Sequence, residues 1–389
     1  MRIAVVGGKL QGTEAAYLAR QAGWPVMLID KKPVVPAQGL ADEFYCLDVA
    51  EETARLRSIL KKADLIIPAL EDGPALDHLK EVADEEGVPF AYDGHAYKIS
   101  SSKKNSDRLF AGLGIPAPRP GASGHFPLLA KPSGSSGSRG VRRILSQKEL
   151  DSFLAASGPE QEDWVIQEYL EGPSYSLEIL GLDDDYVSLQ TTVIEVDALY
   201  DCKRVLAPAG ISTDLKNEFG RIARKIAEAL NLKGIMDVEV ILHEGRLKVL
   251  EIDARLPSQT PTAVFKSAGV NMVELLGDVF VRKSLSKPPP GPRKKEVIYE
   301  HIRVSPEAIE VSGEHIMSVA GPLRIQEGFF GADEAVTDFV PGKSNWAATL
   351  IFVENSGPEV QAKRDATIEG LKKSLGIDVF RDGGPGENL

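Results

Sequence analysis

Val249-Leu250-Glu251-Ile252-Asp253-Ala254-Arg255 decides how this chain is read, because Ile235-Met236-Asp237-Val238-Glu239-Val240 lies just upstream. Both stretches alternate apolar and charged residues, the pattern of strands with one buried face. His243-Glu244-Gly245-Arg246 between them is a short glycine-containing connection that suits a hairpin. Such a hairpin brings Glu239, Glu251 and Asp253 to one end of a cleft. Residues i and i+2 share a strand face, so Glu251, Asp253 and Arg255 point the same way. Three carboxylates without histidine or cysteine form a hard, oxygen-only site suited to magnesium bound together with phosphates. An ordinary hairpin with an acidic solvent face would show the same pattern, and the rest of the chain separates the two readings.

At 389 residues the chain has room for two or three domains and a sizeable core. A 43% apolar and 26% charged composition is that of a soluble globular protein. The net charge of -12 argues against nucleic acid or a membrane surface as partner and leaves small molecules. No run of about 18 apolar residues predicts a membrane span. Met1-Arg2-Ile3-Ala4-Val5-Val6 reads as a buried first strand rather than a secretory leader. Two cysteines, Cys46 and Cys202, give neither a disulfide framework nor metal spacing. The expectation is a reduced, cytoplasmic, multidomain protein.

Residues 1–95 read as a parallel, Rossmann-like α/β domain. Strand 3–6, the turn Gly7-Gly8-Lys9-Leu10-Gln11-Gly12 and helix 13–21 form its first βα unit, and strands 26–29 and 64–68 follow. A dinucleotide fingerprint fails here, because Lys9 stands where a second glycine must admit the pyrophosphate. The turn still makes a glycine-lined pocket opposite Asp30, Asp48 and Glu71, sized for an adenosine or an amino acid.

Residues 96–286 hold the candidate nucleotide site. Lys103 and Lys104 open a short amphipathic helix that Gly114-Ile115-Pro116 ends. Strand 126–132 carries a single lysine, Lys131, and Ser133-Gly134-Ser135-Ser136-Gly137-Ser138-Arg139-Gly140 follows it directly. A loop this rich in glycine and serine can wrap phosphates with its N–H groups, although it is not a P-loop. The stretch 164–172 reads as a strand running into a turn; it passes through Gln167 into Glu168, Tyr169 and Leu170, whose backbone can read an adenine edge. Strand 174–180 sets Ser176 and Glu178 on one face, with Leu177 between them. Helix 214–230 buries a core stripe of Leu215, Phe219, Ile222, Ile226 and Leu230.

In this order (lysine, strand lysine, Gly/Ser loop, hinge strand, acidic strand, Glu-x-Asp-x-Arg) the chain resembles the ATP-grasp superfamily over roughly residues 95–285. The resemblance implies an ATP-grasp fold after the Rossmann-like domain, with Lys103 and Lys131 on the nucleotide phosphates, Lys104 being the alternative to Lys103. It implies Glu239, Glu251 and Asp253 as magnesium ligands, with aspartate where asparagine is often seen. Ser174 replaces a ribose-binding glutamate common in the family. The implied reaction uses ATP to phosphorylate a carboxylate, which an amine then attacks. Arg255 would hold the acyl-phosphate oxygens.

Arg255-Leu256-Pro257-Ser258-Gln259-Thr260-Pro261-Thr262, Gly8-Lys9-Leu10-Gln11-Gly12, 41–46 and 234–239 together are similar to the ligase family of pyrrolysine biosynthesis. That likeness implies joining (3R)-3-methyl-D-ornithine, through its carboxylate, to the ε-amine of L-lysine. Ser176, Leu177, Glu178, Asp237 and the Ser258, Gln259, Thr260 loop would then hold the ornithine. Leu10, Gln11 and Glu71 would hold lysine, and a carboxylate or the departing phosphate would take its proton. The family also suggests a second nucleotide pocket at Lys9, Asp30, Asp48 and Val49, and a possible homodimer. Alternatives are a ligase for other amino acids, such as a D-alanine-ligase-like or carboxylase-like member, and a nucleotide-binding regulator without turnover.

Lys287-Pro288-Pro289-Pro290-Gly291-Pro292-Arg293-Lys294-Lys295 reads as a stiff connector to a small α+β domain, residues 287–389. There, strands are expected at 297–304, 315–319 and 347–353, a helix at 359–375, and a frayed end from 381. Glu300 and His301 are candidates to reach the cleft, and Lys203-Arg204 for a phosphate contact or a solvated strand edge.

Overall fold

The short, wholly apolar run Ile3–Val6 is buried on both faces, as an inner strand of a parallel sheet must be, and Leu65–Pro68, last in the same sheet, is buried too. The computed structural model describes residues 1–51, 53–121, 125–157, 163–285 and 295–385. Its first sheet runs Glu43–Cys46, Val26–Asp30, Ile3–Val6, Leu65–Pro68, all parallel. Ala4, Val6, Met27 and Ile66 pack on helices Thr53–Leu60 and Gly73–Glu86. Ile3, Val5, Leu28 and Ile67 pack on helix Leu10–Gln21. That helix begins at Leu10, one turn earlier than the pattern suggests. Two glycines permit the tight entry. A Cβ on Gly7 (φ +104°) would lie 2.2 Å from the Ala69 carbonyl oxygen, and one on Gly12 2.0 Å from that of Gly7.

The second sheet is antiparallel along its main path, in the order Arg246–Asp253, Gly234–His243, Ser174–Leu182, Thr192–Val196, Cys202–Ala207, Glu296–Val304, Trp346–Glu354, Glu334–Thr337, Arg324–Glu327. Arg204 pairs with Glu300 in register, so the sheet continues unbroken into the C-terminal segment. The proline-rich connector lies almost wholly outside the described residues. Helix Thr213–Leu230 covers one face with Phe219, Ile222, Ile226 and Leu230, capped by the Ser212 hydroxyl and by left-handed Asn231. A third, small sheet of Arg142–Ile144, Leu128–Pro132 and Trp164–Glu168 carries Lys131 and the Gly/Ser loop. Helix Lys103–Leu113 starts at the Ser102 cap and ends at left-handed Gly114. A helix at Gly94–Ser100, capped by Asp93, was not anticipated.

Four expectations need correction. Residues 315–319 form no strand, because a tight turn at Glu314–Ile316 takes their place. Its cause is tertiary: Asp197 accepts from the Gly313 N–H, and Asp201 from both the N–H and the ring Nδ1 of His315. Lys203 and Arg204 lie on an interior strand rather than a solvated edge, and their charges are met by Asp382, Glu195 and Glu300. The end from 381 is not frayed where it is described, since Asp382 and Gly383 are held by Lys203. Phe380–Arg381 pairs with Ile309–Val311, and residues 386–389 lie outside the described residues. Glu300 and His301 stay in the core, where Glu300 pairs with Arg204 and Arg364 and His301 bonds Thr349 at 2.8 Å. Burial pushes the His301 imidazole down to about 3, so it stays neutral.

Candidate active site

Cross-strand register assembles the carboxylates. Asp237 faces Asp253 and Glu239 faces Glu251 across the hairpin, while Glu178 faces Asp237 and Ser176 faces Glu239 on the other side. Directly opposed residues share a sheet face, so Glu178, Asp237, Glu239, Glu251 and Asp253 line one surface. Two cations relieve it: Lys103 Nζ lies 3.0 Å from Glu251, and Arg255 lies 2.6 Å from Asp253. Burial and mutual repulsion push Asp237 and Glu239 well above the usual carboxylate range. Burial raises Glu178 and Asp253 to about 7 each. A face in this condition binds cations to regain its charge. Glu239, Glu251 and Asp253 offer a magnesium ion the all-oxygen donor set it prefers, and on that chemistry the residues fit the ion.

Among the described residues, two cavities meet at this face and a third adjoins the second. The first, ≈ 410 Å³, is lined by Lys103, Lys131, Ser135, Gln167, Glu168, Tyr169, Leu170, Glu239 and Glu251. Lys131 Nζ donates to the Leu250 carbonyl at 3.2 Å, and burial lowers its pKa. Lys103 Nζ also donates to the Ser135 carbonyl at 2.5 Å, which draws the loop over the cavity. The hinge is partly committed: the Glu168 and Tyr169 N–H groups donate to Arg119 and Pro127 carbonyls. Leu170 is the residue of this run whose N–H has no such partner among the described residues. The Glu168 carboxylate is held by Arg119 at 2.6 Å and Lys248 at 2.5 Å. Although burial opposes it, these bonds hold Glu168 down at about 2. Arg143, 4.2 Å over the Tyr169 ring, adds a cation to this cavity.

The second cavity, ≈ 150 Å³, lies between the hairpin and the loop 258–260, with Asp237, Glu239, Asp253, Arg255, Ser258, Gln259 and Thr260 in its wall. Arg255 Nε and Gln259 Oε1 are buried without a partner among the described residues, as donor and acceptor awaiting a ligand would be. Ser176 and Glu178 sit one layer deeper, fully buried, with the Ser176 hydroxyl donating to Asp237. Leu177 points to the opposite face, into the core with Ile179 and Phe219. Its side chain therefore stays out of the cavity.

The third cavity, ≈ 410 Å³, opens into the first domain and is lined by Lys9, Leu10, Gln11, Asp30, Asp48, Val49 and Glu71. Arg255, Ser136 and Glu314 border both this cavity and the second. Glu71 is its pin, accepting from Gln11 at 3.0 Å, Ser136 at 2.5 Å and Arg255 at 2.7 Å. Although burial opposes it, the Arg255 charge and these bonds hold Glu71 below the usual carboxylate value. The carboxylate oxygens of Asp30 already accept from the Gly8 and Lys32 N–H groups.

Glu314 went unrecognised in the sequence. It accepts from Ser258 and Gln259 at 2.6 Å each and borders both the second and the third cavity. Ser312-Gly313-Glu314-His315 carried a turn signal in its glycine, but only the distant Asp197 and Asp201 fix its placement. Asp197, Asp201 and His315 cluster, yet both carboxylates already accept from backbone N–H groups, so they organise the turn.

A family model described as an ATP-grasp domain matches residues 100–259, and one described as a PylC-like N-terminal domain matches residues 3–91. The 3-methyl-D-ornithine–L-lysine ligase of Methanosarcina barkeri is 35% identical over 96% of this chain and 98% of its own length. That of Methanosarcina acetivorans is 36% identical over 97% of this chain and 99% of its own. Among solved structures, the biotin carboxylase domain of Hydrogenobacter thermophilus 2-oxoglutarate carboxylase, with MgADP, ADP and bicarbonate, superposes with a TM-score of 0.71. That likeness covers 95% of this chain and 89% of the other at 16% identity, and so it speaks for the fold alone. With end-to-end likeness to the two ligases and an ATP-grasp core, the chain belongs to the 3-methyl-D-ornithine–L-lysine ligase family of ATP-grasp enzymes.

Proposed function

We propose that this enzyme joins the carboxylate of (3R)-3-methyl-D-ornithine to the ε-amine of L-lysine at the expense of ATP, forming an isopeptide in pyrrolysine biosynthesis. One observation carries the reading: the cavity of Lys103, Lys131 and the hinge and the smaller one at the 258–260 loop share the face of Glu239 and Glu251, and Arg255 and Glu314 join the smaller one to a third cavity in the first domain. Lys103 and Lys131 would hold the ATP phosphates beneath the Ser135–Ser136 loop, with adenine at Gln167–Leu170. Magnesium, held by Glu239, Glu251 and Asp253, would neutralise the phosphoryl group in transfer.

In the first step an ornithine carboxylate oxygen takes the γ-phosphoryl group and ADP leaves. Arg255 lies where the acyl-phosphate oxygens would form, and its unpartnered Nε is available to them. Asp237 and Glu178 would balance the ornithine ammonium groups, and the Ser258–Thr260 loop would close over the side chain. In the second step the lysine ε-amine, having lost a proton, attacks the acyl carbon and phosphate departs. Gln11 and Glu71 would bind lysine from the first domain, with Glu314 beside its path. The loop excludes water, which would otherwise hydrolyse the acyl phosphate.

In the first-domain cavity lysine is placed at the end beside Arg255, where Glu71 and Glu314 suit an ammonium group, while Lys9, Lys31, Lys32 and Arg139 line the remainder. A homodimer and a cytoplasmic location remain part of the proposal. Among the described residues no helix is long and apolar enough to cross a membrane. ADP release tests the reading: turnover must require both amino acids, and turnover with either one alone would exclude the pair.

A further inference from the structure

Lys203 is 6% exposed, and both partners of its ammonium group come from the chain's last described residues. Asp382 lies 2.6 Å away and the Gly383 carbonyl 2.8 Å. The other Asp382 oxygen accepts from Arg204 at 2.5 Å and Arg364 at 2.9 Å. Lys203, Arg204 and Arg364 bring three positive charges, against which the sheet itself supplies Glu300 and Glu195. Asp365 meets Arg364 from the helix at 3.3 Å, and Asp382 is the acid that touches all three cations. Three residues on, Pro385 borders the nucleotide cavity, across from the Gly/Ser loop. The strand that bears Lys203 follows Tyr200, which lines the same cavity and accepts from the Ser138 hydroxyl at 2.6 Å. Anchor and wall are thus joined by a few residues of chain.

We propose that the segment Asp382–Pro385 is a strap that completes the nucleotide cavity. Asp382 is its anchor on Lys203, Arg204 and Arg364, and Pro385 is its contact with the nucleotide. The inference rests on the cavity being the ATP site, and it is independent of which amino acids are joined. Asp382 is therefore a positioning residue that acts on nucleotide affinity and leaves lysine affinity alone. An anchor made of charge-assisted bonds predicts loss of about tenfold in ATP affinity when it is removed.

The test is calorimetric binding of MgATP and, separately, of L-lysine to the full chain, to a chain ending at Arg381, and to Asp382→Asn and Pro385→Gly. The strap predicts ATP Kd raised about tenfold by truncation and Asp382→Asn, and about threefold by Pro385→Gly, with lysine Kd unchanged and Asp382→Glu partly restoring ATP binding. Truncated protein binding ATP as tightly as the full chain, or more tightly, overturns it. Should truncation unfold the protein, Pro385→Gly decides, since it leaves the ion cluster intact, and unaltered ATP binding there overturns the strap. A full chain that binds lysine but no ATP removes the nucleotide reading and the strap with it.

Discussion

Replacing Glu71 with glutamine separates lysine binding from nucleotide binding. The side chain keeps its length and can still meet Ser136 and Gln11, so the loop retains its catch on the first domain. What is lost is charge: the ion pair with Arg255 at 2.7 Å and the attraction for the lysine ammonium group. A hydrogen bond to a charged group is worth ~1.5–3 kcal/mol in general. Glu71 is 37% exposed in its side chain, so the lower end applies. About 1.5 kcal/mol corresponds to roughly tenfold in KM for lysine. KM for ATP should move less than about twofold, because Lys103, Lys131 and the carboxylate hairpin are untouched. ADP release measured while each substrate is varied in turn gives both values. Equal rises in the two constants would remove Glu71 from the lysine site and leave it a loop catch only.

Glu251→Gln should abolish ADP formation while far-UV circular dichroism stays unchanged, since the side chain faces the cavity. Near-normal turnover would refute the metal and phosphate assignment. Glu14 predicts a pH effect on stability. Burial raises its carboxyl from 4.5 to about 7, despite the bonds from Thr262. The folded state therefore holds a proton that the unfolded state has lost, and stability falls as pH rises from 4.5 to about 7. Glu14→Gln, which can still accept the Thr262 N–H, should raise Tm at pH about 8 and leave it unchanged near pH 4. A variant with the same Tm gain at both pH values contradicts this.

Much of the site was legible because strand periodicity is local. That Glu239, Glu251 and Asp253 share a face follows from a two-residue alternation and one short hairpin, and the register shows that face. Lys131 and the Gly/Ser loop were readable because they adjoin in sequence. Glu314 was hidden because its position is set by carboxylates more than a hundred residues away, on the hairpin after Thr192–Val196. Leu177 was placed among binding residues by its neighbours, yet alternation sends its side chain to the opposite face. The ordered tail was illegible for a different reason. Gly383-Gly384-Pro385 looks frayed until the three cations around Asp382 are assembled from a strand and a helix.

The proposed reaction turns on phosphorylation of the 3-methyl-D-ornithine carboxylate and its capture by lysine. The most direct measurement supplies that amino acid with ¹⁸O in its carboxylate, together with ATP, magnesium and L-lysine, and analyses product and phosphate by mass spectrometry. The account predicts a product whose mass is the sum of the two amino acids less one water, with one ¹⁸O atom carried into the released phosphate. Phosphate free of label, or no product of that mass while ATP is consumed, would contradict it.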